Sequence, residues 1–357
     1  MWKQAEIDLP VKSVETRITT APYTLLEKWV ERTRLPWSLA TAAVGVALFL
    51  PMIGAAHLDG ILDRLFDARF WRITLLGPMV ITYIFATHPQ FRRLRQEAID
   101  AFRPIVKLSA DEFDRFVGKH LPLDQWRELM AFGVGAIAGE MLLRPWAALE
   151  PIPILWSKGY RMLLTALMCG FIGAVIYTSL ATARFLAKLH RQPLALNIFD
   201  LTPLEPIARR SLFYALVLIG GITLGLIFVP NQGVRGLIIN GIVILVAVLI
   251  FFLGMRDTHI VMRTTKEREL RIVRQNLAAV HQQLLEQVAR GQLENLPTLS
   301  TNTNLWLNYE KRIKEAPEWP FTSTMIRNLL MSTLIPIIII TLQRVAVELT
   351  TKWITRP

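Results

Sequence analysis

Cysteine is almost absent from this chain, which has a single one, Cys169, among 357 residues. A lone cysteine cannot form an intramolecular disulfide, and its place inside an apolar stretch predicts a small packing residue. The six histidines are scattered along the chain, and none has the i+4 partner that a helical metal site requires. The sequence therefore predicts neither a disulfide-stabilised domain nor a metal centre.

Catalytic signatures are also missing. The chain contains no G-x-S-x-G elbow, no glycine-rich loop that could cradle a phosphate and no Cys–His arrangement. No lysine lies inside any of the apolar segments described below, which excludes a retinal Schiff base. We therefore predict a protein that is not an enzyme and that carries no cofactor.

Apolar residues are abundant and occur in long blocks. They make up 52% of the chain, and the mean hydropathy is +0.37. A membrane-spanning helix needs about 20 mostly apolar residues, and six segments meet that length on inspection: 36–54, 70–87, 161–182, 212–229, 236–255 and 325–342. This pattern predicts an all-α, polytopic integral membrane protein embedded in a lipid bilayer.

A seventh apolar stretch, 128–149, contains Glu140 and Arg144 and decides the topology. If it crosses the membrane and the amino terminus is cytoplasmic, nearly all lysines and arginines lie on the cytoplasmic side. If it does not cross, the basic segments 183–211 and 256–324 both face outward, against the positive-inside preference. The sequence thus predicts seven spans in the cell membrane, with the carboxyl terminus outside. The net charge of +12 then reflects topology rather than a nucleic-acid partner.

The same reasoning divides the chain into four parts. Residues 1–35 form a cytoplasmic or interfacial amino-terminal arm, and residues 36–255 form a six-span membrane domain with a helical cytoplasmic loop at 88–127. Residues 256–324 form a cytoplasmic helical hairpin resembling a short coiled coil, and residues 325–357 form the last span and a short outer tail.

The helix of the sixth span shows no stop signal and is predicted to continue through Gly291. Beyond the membrane its apolar residues alternate three and four apart, as in a coiled-coil seam: Leu270, Val273, Leu277, Val280 and Leu284. The partner of this seam is either the same helix of another subunit or the returning segment 305–313. A basic cluster follows directly after the span and either sets topology or contacts anionic lipid: Arg256, Arg263, Lys266 and Arg268.

Candidate functional residues lie inside the predicted spans. Glu140 falls near the midplane, where an uncompensated charge costs about 3 kcal/mol. Arg144 is one helical turn away and is predicted to pair with it. This pair either lines a pathway or locks helix packing. Asn240 is a third polar candidate, near the outer mouth.

Two functions follow from this reading. The first is an oligomeric membrane channel or permeation protein, with Glu140 and Arg144 on the path and a cytoplasmic assembly helix. The alternative is a non-enzymatic transmembrane signalling or scaffold subunit of a larger membrane complex. The predicted partners are accordingly the lipid bilayer and either further copies of the chain or other subunits.

Overall fold

The prediction of an all-helical chain is confirmed over the residues that the computed structural model describes: 24–63, 68–120, 124–145, 155–194, 197–200, 202–229, 233–290 and 296–354. Most of the predicted amino-terminal arm and the last three residues of the outer tail lie outside these ranges. The helices are α1 Leu25–Thr33, α2 Trp37–Leu58, α3 Ala68–Asp100, α4 Ala110–His120, α5 Gln125–Leu143, α6 Leu155–His190, α7 Glu205–Phe228, α8 Gly233–Ala289, α9 Leu296–Glu315 and α10 Ser323–Ile354.

Five of the described helices are long and apolar enough to cross a membrane: α2, α6, α7 with its preceding turn, α8 and α10. They correspond to five of the seven predicted spans. The other two predicted spans fall on α3 and α5, which are not among the five. Helix α5 has only 19 residues and ends at Leu143, six residues before the predicted end of that span.

Local capping signals explain where several helices begin. Ser109 and Glu112 form a capping box, since the Ser109 hydroxyl accepts the N–H of Glu112 at 3.3 Å and the Glu112 carboxylate accepts the N–H of Ser109 at 2.9 Å. Asp124 caps α5 by accepting the N–H of Trp126 at 3.1 Å. Residues 202–204 form a 3-10 turn that leads directly into α7, which begins at Glu205.

Helix α8 runs without a break for 57 residues, about 85 Å at 1.5 Å per residue. Its distal half packs antiparallel against α9, with Val273 and Ile313 both fully buried. Arg274 Nε bonds Glu310 at 3.2 Å, and Lys266 Nζ donates to the carbonyls of Lys314 and Ala316, both at 2.8 Å. The seam therefore contacts the returning segment of its own chain. At the start of the returning segment 305–313, the Leu305 side chain is 62% exposed, so this contact does not bury it.

The bundle has two cores. The larger core lies among α3, α6, α7 and α8, with α7 contacting α3, α8 and α10. A smaller core continues past the apolar spans, where the ends of α3 and α6 meet α4 around Phe102, Phe113 and Leu186. The junction of the two cores, which runs through α7 near its first turns, holds the buried charges described below.

Helices α5 and α6 approach each other through small residues. A Cβ on Gly135 would lie 2.5 Å from the carbonyl oxygen of Cys169, and one on Gly173 would lie 2.5 Å from that of Ala131. Helical spacing puts Gly133 and Ala136 on the face of Glu140, where small residues predict close approach of a neighbouring helix, but a Cβ on Gly133 would meet nothing within 4 Å. The contacting face contains Gly135 instead.

This difference gives a stability test within one helix. We expect Gly135→Ala to destabilise the protein by about 1–3 kcal/mol, because its methyl group meets backbone that cannot rotate away. Gly133→Ala is the matched control and should leave stability unchanged or slightly raised. Thermal unfolding of the detergent-solubilised protein measures both, and equal melting temperatures for the two variants would contradict the observed face.

Candidate functional site

The predicted ion pair between Glu140 and Arg144 does not form. Helix α5 ends at Leu143, and Arg144 takes a left-handed cap conformation with φ 45° and ψ 60°. Its side chain therefore leaves the helical face that carries Glu140, and the two make no salt bridge within 4 Å. Both carboxylate oxygens of Glu140 are buried without a hydrogen-bond partner. A pathway role for either residue stays a prediction.

Asn240 lies on the wall of a partly open cavity of about 480 Å³. The cavity lies between α3, α6, α7 and α8, with the end of α5 and Pro145 at its edge. Its lining is mostly apolar, with small residues such as Gly77, Gly221 and Gly225 giving it width. Arg161 lines the same cavity and forms no salt bridge with a described acidic residue. A wide, largely apolar cavity with a few polar groups is typical of a small-molecule site.

A buried charge cluster lies at the opposite end of the same helices, and its centre is Glu27. This residue on α1 and Arg95 on α3 are each only 1% exposed, and Arg95 Nη2 donates to both carboxylate oxygens at 3.0 and 3.1 Å. His88 Nε2 lies 3.3 Å from the Glu27 carboxylate and 3.0 Å from Thr24 Oγ1. These contacts hold the amino-terminal helix over the end of the bundle.

The electrostatics of Glu27 follow from this geometry. Burial alone raises the pKa of the carboxyl group, but the hydrogen bond from His88 and the charge of Arg95 outweigh it. The resulting pKa lies below the usual value of 4.5. Glu27 is therefore ionised near neutral pH and neutralises Arg95.

Glu128 on α5 completes the acidic side of the cluster. Its side chain is buried, and one carboxylate oxygen accepts the N–H of Leu25 at 3.0 Å. It lines a small cavity of about 20 Å³ together with His88, Arg95 and Tyr214. That volume matches about one water-sized sphere.

Arg210 on α7 contributes the second cation. It is completely buried, and none of its three guanidinium nitrogens has a hydrogen-bond partner. The guanidinium carbon lies 5.5 Å from the ring centre of Tyr214, within cation–π distance. The hydroxyl group of Tyr214 is also buried without a partner. Such unsatisfied groups are uncommon in folded proteins, and an ionisable one inside a membrane bundle is a candidate functional position.

The two cavities lie one after the other along the helices of the bundle. On α3 the lining passes from Ile84 in the large cavity to His88 in the small one, a single turn further. On α7 it passes from Val217 to Tyr214 in the same direction. Val175 of α6 lines both cavities, so the two adjoin at this apolar side chain.

Sequence reasoning missed this cluster because its members come from segments that looked like surface. Arg95 and Arg210 were assigned to basic loops and Glu27 to the mixed arm. One signal was available, since Arg95 follows His88 by seven residues on an uninterrupted helix and so shares its face. Nothing in the sequence brings α1 onto that face.

The basic cluster after the sixth span divides in the structure. Lys266 is only 12% exposed, and it caps the end of α9 and pairs with Glu318 at 3.2 Å. Arg263 pairs with Glu267 along the helix at 2.9 Å. Arg256 and Arg268 are exposed. A contact with anionic lipid stays a prediction, and Lys266 has a structural role in joining α8 to α9.

Neither a protein-family model, nor a curated protein, nor a solved structure matches this chain significantly. Function is therefore argued from the geometry above.

The Glu27–Arg95 pair predicts a specific response to substitution and pH. Glu27→Gln leaves Arg95 as an uncompensated buried charge and should cost about 3–5 kcal/mol. Because the pKa of Glu27 is lowered by folding, its stabilisation is complete above pH 4.5 and is lost as pH falls through the lower folded value. Denaturant unfolding at several pH values measures both effects.

Glu31→Gln is the matched control, because Glu31 is on the same helix and pairs with Arg92 in a partly exposed contact at 3.3 Å. We expect a change within about 1 kcal/mol. An equal cost for both substitutions, or the same acid sensitivity with and without Glu27, would contradict the assignment.

Proposed function

We propose that this chain is a multi-pass membrane permeation protein whose path runs through the interior of one subunit. The observation that carries the proposal is the line of cavities from Arg161 and Asn240 past Val175 to the buried charge cluster. Buried ionisable residues in a membrane bundle are costly and are found where ions or solutes pass. A purely structural role for these residues does not explain the cavity of about 480 Å³ beside them, because protein interiors are normally close-packed.

Seven crossings in the cell membrane form part of this proposal. Helices α3 and α5 pack beside the five apolar helices. Helix α3 packs against α7, α2 and α6, and α5 packs against α6. With the amino terminus inside, α4, the α8–α9 pair and the charge cluster lie at the cytoplasmic end. The positive-inside preference supports this orientation, and the large cavity then opens toward the outer half.

The path differs from the one that the sequence suggested. Glu140 does not line either cavity, whereas Asn240 lines the large one. Assembly of several subunits through α8 remains a separate proposal. It is supported by Leu285 and Val288, which are exposed apolar residues near the end of α8; the predicted seam itself contacts α9.

The apolar constriction at Val175 provides the test. We expect Val175→Trp to block flux and Val175→Ala to increase it, because the side chain lies between the two cavities. Leu163→Trp is the matched control, since Leu163 is on the same helix but is exposed on the outside of the bundle. Proteoliposome flux of chloride, potassium and protons measures the effect, with size-exclusion chromatography to show that each variant is folded.

Two results would contradict the path. One is flux in Val175→Trp equal to that of Leu163→Trp, and the other is an unaltered rate in Val175→Ala.

The scaffold alternative is favoured by a different observation. Helix α8 extends far beyond the length that a bilayer requires, and with α9 it forms a projecting pair with polar and basic surface. Such a pair offers a docking surface for another protein. If the unmodified chain shows no flux of any of the three probes, this alternative replaces the permeation proposal.

A further inference from the structure

Arg210 is the one buried guanidinium in the described part of the chain that makes no ion pair. Its side chain is 0% exposed, and no described acidic group lies within 4 Å of it. Arg95 is buried to the same degree but is neutralised by two bonds to Glu27. Glu128 lines the neighbouring small cavity, and its carboxylate accepts the N–H of Leu25 rather than a bond from Arg210.

Arg210 cannot become neutral by losing a proton, because the guanidinium group of arginine stays protonated in proteins. A buried, unpaired charge carries a large desolvation penalty, which is offset only by an opposite charge held close to it. Since the surrounding side chains supply none, the geometry calls for a counter-ion that comes from outside the chain.

The groups around Arg210 are donors. The hydroxyl group of Tyr214 is buried and has no partner, and the same holds for the hydroxyl group of Thr258. Gly254 of α8 faces this region, since a Cβ there would meet Ser211 and lie 4.0 Å from Arg210 Nη2. Thr258 is one turn along α8 from Gly254 and so shares its face. A fixed cation with hydroxyl donors beside it is the chemistry that binds an anion.

We propose that Arg210 binds a small monovalent anion, with Tyr214 as a second donor, and that anions are the substrate class of the proposed path. The claim that anions are the substrate rests on the proposed function, whereas anion binding at Arg210 does not depend on it. The anion must be small, because Arg210 is completely buried and lines neither of the two cavities, although Tyr214 one turn away lines the smaller one. Arg161, in the large cavity, places a further cation on the approach.

Chloride is the probe for the test. Thermal unfolding of the full-length protein in detergent is followed while sodium gluconate is replaced by sodium chloride at constant ionic strength. A ligand that binds only the folded state raises the melting temperature in a saturable way. We expect such a rise for the unmodified protein and its loss in Arg210→Gln, with chloride affinity at least about tenfold weaker.

Arg209→Gln is the matched control. Arg209 is the adjacent residue on the same helix, is exposed and pairs with Glu205 at 2.8 Å, so its loss should leave the chloride response unchanged. Arg210→Lys keeps the charge and should restore part of the response. If Arg210→Gln fails to fold, the titration of the unmodified protein still decides, because the absence of a saturable chloride response there overturns the proposal.

The flux assay separates this inference from the proposed function. Saturable chloride binding without flux of any probe contradicts the permeation proposal and supports the anion site. Flux of potassium or protons without a chloride response overturns the anion site and leaves permeation in place. An equal loss of chloride response in Arg209→Gln and Arg210→Gln assigns the effect to general charge and overturns the site.

Discussion

The contact between Arg95 Nη2 and both carboxylate oxygens of Glu27 is the interaction on which this end of the bundle depends. It joins a short helix that precedes the first apolar span to a residue beyond the second, 68 positions later. His88 and Thr24 complete the contact, and the His88 ring stacks on Trp37 with the ring centres 5.4 Å apart. A buried pair of this kind is stabilising only while both partners are present, so α1 is a structural part of the bundle rather than a flanking arm.

Glu27 neutralises the buried charge of Arg95, whereas the buried charge of Arg210 is not neutralised in this way. The two arginines belong to neighbouring helices, but only one of them has an acidic partner among the described residues. The remaining positive charge, Arg210, is one turn along α7 from Tyr214, which lines the small cavity. In the permeation proposal the wide half admits a solute, Val175 separates the compartments, and Arg210 supplies the charge that selects what passes.

How far the sequence predicts this arrangement depends on the range of the interactions. Local rules account for the capping box at Ser109 and Glu112 and for the cap at Asp124, and they predict the unbroken course of α8, because each depends on neighbours within one or two turns. They failed at Arg144, where a left-handed cap before Pro145 turned the side chain away from Glu140. They also could not place Glu27 beside Arg95, since that contact joins segments that are distant in sequence, and no pattern in either segment encodes it.

The most direct measurement of the central claim uses the variant Leu218→Cys, at a position that lines the large cavity, in a chain whose native Cys169, which packs against Gly139, is replaced by serine. A small, charged, membrane-impermeant thiol reagent is applied to either side of oriented proteoliposomes, and modification is read by mass spectrometry. The account predicts reaction from the outer side and none from the inner side, because Val175 closes the path between them. Modification from neither side, with full reaction after unfolding, would contradict a solute path through the interior of this bundle.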